Sequence, residues 1–275
     1  QGRGAVEPAV NYPEIVQYVA SVVDSCDDTR PTDIVDFRGL MDFMLKALTS
    51  EQTHVFEVER DLAFLMSVTD NDGLGPDTHL PFPFTFIDLD CEIDLDGVMK
   101  RLMGILLIEH EIFGGGIYAS IYWREPDGRV NAGGYKLDMS WRETQALTEE
   151  TYAMLAASGR DEVPMPTREE MREDRIEMMA VRSMTQNFLD MLDSEDIKIT
   201  RLEAQGADSK RVRQRGKMPL PPRTIVRMAL PLRQYVNELK RGKSFGYNHA
   251  FWVRGHWRHY RAERYKASGL WGTKR

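Results

Sequence analysis

The residue pattern predicts an α+β protein: an N-terminal helical layer, a mostly antiparallel sheet, one long Met-striped helix and a basic C-terminal strand segment. Three observations carry that expectation. Apolar side chains recur at helical spacing through the first seventy residues. Residues 87–96 alternate apolar and acidic without a fault. A Thr167-x-x-Glu170 capping box opens a long periodic run to about Leu192.

Over 12–24, Ile15, Val16, Val19, Val22 and Val23 share one helical face, and Pro13 sits in the first turn, where its missing N–H costs nothing. The run from Asp24 to Asp28 breaks this helix. Thr32 or Asp33 then caps a second one presenting Phe37, Leu40, Met41, Met44 and Leu48. A third restarts at 49–51 and carries Val55, Val58, Leu62, Leu65 and Met66. Three such helices read as one layer covering a sheet. Residues 70–77 are turn formers, and the calcium-loop register fails because the twelfth position from Asp70 is Pro81 rather than Glu.

In the alternating stretch, Ile87, Leu89, Cys91, Ile93 and Leu95 fall on one side and Asp88, Asp90, Glu92, Asp94 and Asp96 on the other. Asp88, Asp90 and Glu92 are candidates for a divalent cation, which favours clustered carboxylate oxygens. Strand neighbours two apart lie about 7 Å from one another, whereas ligands to one ion converge from several elements. A solvated face, or one meeting the basic C-terminal region, is the alternative. Residues 98–112 form a strand or a buried helix, and 117–123 and 129–138 are strands of a hairpin about the turn 125–128. The triple glycine 114–116 lacks the spacing of a nucleotide-binding loop. A helix follows over 141–157, then the Met-striped helix with Met171, Met178, Val181, Met184 and Phe188. Short strands are expected at 197–202 and 224–230.

The chain is expected to divide into an acidic α+β body (1–202), a basic mobile loop or linker (203–222) and a basic aromatic segment (223–275) packed on the same body. The apolar and charged fractions, 42% and 29%, are those of a globular protein. Two cysteines, Cys26 and Cys91, need no disulfide framework and fit a reducing compartment, the cytoplasm of a bacterial host. No run is long enough to span a membrane, and no signal peptide is visible, although the opening Gln1 leaves room for a segment upstream. The net charge of −7 hides a division. Residues 201–275 hold nineteen Lys and Arg against four acids, a net +15, and the remainder carries −22. Such asymmetry suits either a polyanion partner or two oppositely charged regions docking on each other.

Residues 245–261 concentrate three of the six histidines, two of the five tryptophans and three arginines. Read as a strand, 253–261 lines Arg254, His256, Arg258 and Tyr260 on one face and places Arg261 on the other. Guanidinium, imidazole and phenol groups together neutralise phosphates and stack on or hydrogen-bond to bases. The candidate nucleic-acid contacts are therefore Arg254, His256, Arg258, Tyr260 and Arg261, with Lys210, Arg211, Arg213 and Arg215. The same set, with His256 as general acid/base, would serve metal-independent RNA cleavage. The structural alternative pairs Arg254 and Arg258 with the acidic strand and buries Trp257. His249, His256 and His259, with gaps of seven and three, match no zinc finger, and no cofactor is expected.

The segment Arg254-Gly255-His256-Trp257-Arg258-His259-Tyr260, followed by Leu270-Trp271-Gly272, resembles a C-terminal pattern of uncharacterised phage and mobile-element proteins. In those proteins a Gly-containing turn leads to a final aromatic strand, which this chain does not reach before Arg275. The resemblance covers about a quarter of the chain, implies kinship, and transfers no catalytic residue. The expected function is thus a phage or mobile-element accessory protein that binds nucleic acid. The alternatives are a protein-binding module, either an inhibitor of a host system or a component of a larger particle, and a ribonuclease.

Overall fold

The computed structural model describes residues 11–25, 37–69, 74, 78–95, 98–111, 116–157, 166–192, 194, 196–202, 221–229 and 233. Among these, five helices enclose one seven-stranded mixed sheet, so the α+β expectation holds. The elements run α1 (Tyr12–Ser25), α2 (Phe37–Thr49), β1 (Thr53–Val58), α3 (Arg60–Val68), β2 (Phe84–Leu95), β3 (Val98–Glu109), β4 (Ile117–Arg124), β5 (Val130–Lys136), α4 (Trp141–Ala157), α5 (Arg168–Leu192), β6 (Ile197–Leu202) and β7 (Arg223–Met228). The strand order is β5-β4-β3-β2-β1-β7-β6. Pairing is antiparallel except at the centre, where β1 runs parallel to both β2 and β7. No helix among the described residues is long and apolar enough to cross a membrane.

The expected third helix is not continuous. Its first part is β1, and only Arg60–Val68 is helical. Positions 55, 58, 62, 65 and 66 keep helical spacing by coincidence across this boundary. The chain is extended at Glu59, with φ −55 and ψ 135. Five of the six β1 residues are buried, on both faces, as a central parallel strand requires. Nor do the first three helices form one layer. Val55, Phe86, Met103, Leu106, Ile108 and Tyr122 pack under α1 and α2 on one face of the sheet. Phe56, Ile87, Leu89, Ile105, Leu107 and Val226 face α3 and α5 on the other.

Of the stretch left open between strand and helix, 98–112, Val98–Glu109 form strand β3, with Ile105 and Leu107 on one face and Leu106 and Ile108 on the other. Gly104 lets the Phe86 ring approach closely, since a Cβ there would sit 2.5 Å from Phe86 Cζ. The β4–β5 hairpin closes through Gly128 N–H donating to the Glu125 carbonyl (2.9 Å), with Gly128 at φ 89, where glycine is unstrained. The α5 capping box forms as expected: Glu170 N–H donates to Thr167 Oγ1 (3.2 Å) and Thr167 N–H to Glu170 Oε2 (2.7 Å). Ser140 and Glu143 make the same box at the start of α4. The Met stripe is core, with Met178, Val181, Met184, Phe188 and Met191 buried. Asn187, on the same helix, donates from Nδ2 to the Met66 and Thr69 carbonyls (both 2.9 Å), satisfying the C-terminus of α3.

Two register shifts sit side by side. Strand β2 carries an extra residue between Asp88 and Cys91 against β3, and β3 carries one between Leu102 and Gly104 against β4. Bulges free carbonyls from the ladder and re-aim neighbouring side chains.

Candidate functional site

The nine sequence-derived contacts (Lys210, Arg211, Arg213, Arg215, Arg254, His256, Arg258, Tyr260 and Arg261) lie outside the described residues. What the fold defines is where their segments attach. Leu202 of β6 pairs with Arg223 of β7, so 203–222 is the connection of an antiparallel hairpin. The chain beyond β7 leaves from the other end of that strand, about 17 Å away at the usual rise. There Arg233 Nη2 pairs with Glu59 Oε1 (2.6 Å) and Met228 N–H donates to Glu59 Oε2 (3.0 Å).

Among the described residues, the acidic side of β2 does not gather its carboxylates into one cluster. Asp88 is 3% exposed beneath α1, Asp90 pairs with Arg101 at 2.8 Å, and Glu92 is exposed. The three carboxylates follow one strand from core to solvent and do not converge. Among the described residues no three of His, Cys, Asp and Glu form a metal-holding group. Asp88 instead holds the start of α1. Its Oδ1 accepts from Asn11 N–H and Nδ2 (both 3.1 Å), and its Oδ2 accepts from Tyr12 N–H (3.1 Å). Asn11 Nδ2 also reaches the carbonyls of the bulge residues Leu89 (2.6 Å) and Met103 (3.3 Å). Burial pushes the Asp88 carboxyl up to about 7; the Asn11 and Tyr12 hydrogen bonds oppose the rise, and the charge of Glu57 adds to it. Glu57 lies beside Asp88 in register, 4% exposed, and is neutralised by Arg223 Nη1 at 2.6 Å.

A second polar group, on the α3/α5 face, joins β3, β4 and α5. Lys100 Nζ pairs with Glu177 Oε2 (2.8 Å) and stands 4.5 Å from the centroid of the Trp123 ring. Tyr135 faces Glu177 and Asp174; burial first, and then those charges, push its phenol up. At the hairpin root, the His54 ring stacks on Phe82 at 4.1 Å and its Nε2 lies 2.6 Å from Thr224 Oγ1. Burial, and then the charge of Arg201, hold His54 below its usual range, which favours the neutral ring. These groups are enclosed by their own partners and read as structural.

The β6–β7 hairpin carries a different kind of surface. Lys198 and Arg227 are directly opposite in register, on one face, and both are exposed. Arg201, three residues on, projects to the other face and is exposed. None of the three has an acidic partner among the described residues. Sequence reasoning missed this edge because three bases spread over two strands make no run. The signal was the register of 197–202 against 223–228.

No protein-family model matches the chain, and no curated protein matches it.

Proposed function

We propose that this chain is a phage or mobile-element accessory protein that binds nucleic acid through residues 210–275 in the cytoplasm of a bacterial host. The observation that carries the reading is charge. Residues 201–275 hold a net +15 in a chain whose remainder is −22. Two of the bases that begin this region, Arg223 and Arg233, are neutralised by Glu57 and Glu59, but fifteen of the nineteen belong to residues outside those described. A concentration of Lys and Arg interleaved with Trp, His and Tyr suits phosphate neutralisation and base stacking. Equilibrium binding of a labelled single-stranded oligonucleotide tests the proposal. Affinity falls steeply with salt, and Arg254→Ala with Arg258→Ala weakens it. Binding that ignores both salt and the double substitution overturns the reading.

A protein-binding module is the second reading, favoured by the Glu57–Arg223 and Glu59–Arg233 pairs, in which acids of the body already neutralise the bases entering the segment. A protein that co-purifies in stoichiometric amount, without nucleic-acid absorbance, selects it.

A further inference from the structure

We infer that the β6–β7 hairpin is part of the nucleic-acid surface, with Lys198, Arg201 and Arg227 contacting backbone phosphates of a strand laid along the outer edge of β6. This rests on the nucleic-acid reading above. Lys198 and Arg227 face each other across the ladder, where like charges repel and weaken the pairing. An anion bridging them turns that repulsion into attraction. Strand β6 is the outermost strand on its side of the sheet, and residues 198–202 are exposed along it. Its outer backbone N–H groups have no neighbouring strand among those described, and add donors suited to phosphate oxygens. Ile199, 43% exposed, offers an apolar contact beside Arg201 on the same face of the strand. The bases stand on both faces of the edge and continue into the connection 203–222, which holds Lys210, Arg211, Arg213, Arg215 and Lys217. A single added peptide strand would take only the backbone edge.

The register supplies a test in which binding and folding move in opposite directions. Lys198→Glu places a carboxylate opposite Arg227, so the melting temperature holds or rises while affinity for a single-stranded oligonucleotide falls. Lys198→Glu with Arg227→Glu lowers affinity at about 0.1 M salt by about fivefold or more per base, and makes the salt slope shallower by about 0.7 for each phosphate no longer neutralised. Lys198→Gln with Arg227→Gln gives the same sign of change without new charges, should the acidic pair fail to fold. If the parent protein binds, and Arg254→Ala with Arg258→Ala weakens it while both hairpin variants keep full affinity and slope, the hairpin inference is wrong and the nucleic-acid reading stands. If the parent protein binds no oligonucleotide at all, both fall.

Discussion

Asn11 and Asp88, 77 residues apart in sequence, form one buried hydrogen-bonded unit at which α1 meets the double bulge of β2 and β3. Asp88 supplies the acceptors that the first N–H groups of α1 need, and Asn11 supplies the donor for two carbonyls released by the bulges. The two side chains are not interchangeable, because each answers a different unsatisfied group. Asn11→Ala strands the Leu89 and Met103 carbonyls and removes the side-chain hydrogen bond to Asp88. The expected loss is about 3 kcal/mol, read from urea unfolding of the variant against the parent chain.

The same unit sets a pH dependence. Asp88 titrates near 7 in the fold, against 3.8 for an unperturbed Asp. Between those values the native state holds a proton that the unfolded chain releases. Its contribution to stability is therefore full below the lower value, declines as pH rises toward 7, and levels off above it. The decline amounts to about 1.4 kcal/mol per unit of pKa difference. Asp88→Asn disturbs the cap at every pH but removes this slope. Thermal unfolding of both chains from pH 4 to pH 8 checks it, and parallel curves would exclude Asp88 as the titrating group.

Lys100 and Glu177 form a pair that is costly to break and cheap to remove. Glu177 is almost wholly buried, while Lys100 keeps 27% of its side-chain surface. Lys100→Met should cost about 2 kcal/mol, less than the roughly 3–5 kcal/mol of a fully enclosed pair because the exposed side is screened. Lys100→Met combined with Glu177→Met should recover most of that loss. The coupling is measured by a double-mutant cycle, with Trp123 emission reporting departure of the ammonium from its ring.

Gly104 is needed for its lack of a side chain rather than for backbone freedom. Gly104→Ala drives a methyl into the Phe86 ring, at a cost of about 1–3 kcal/mol. Phe86→Leu in the same chain should relieve part of this. Calorimetric melting of the parent, the single and the double variant gives the comparison.

Much of this architecture could be read from local signals. The Thr167–Glu170 box and the turn at 125–128 are instructions that act within four residues, and both formed as expected. The alternation after Ile87 identified a strand, yet the exposure of its acids was set by what lies above it. Asp88 is covered by α1, and Glu92 is open. Strand β1 was hidden because Val55, Val58 and Leu62 satisfy a helical period across a strand-to-helix junction. The Asn11–Asp88 unit and the Lys198–Arg227 juxtaposition depend on pairing between distant segments, and no local pattern encodes them. For the candidate site, the sequence located the charge, and the fold adds the hairpin on which part of it stands.

The most direct test of the nucleic-acid assignment is the slope of log K against log salt for the parent protein and a single-stranded oligonucleotide. Phosphate neutralisation by the basic region predicts a steep line whose slope falls by about 0.7 for each base removed at Arg254 and Arg258. A flat line, or no binding at low salt, contradicts it.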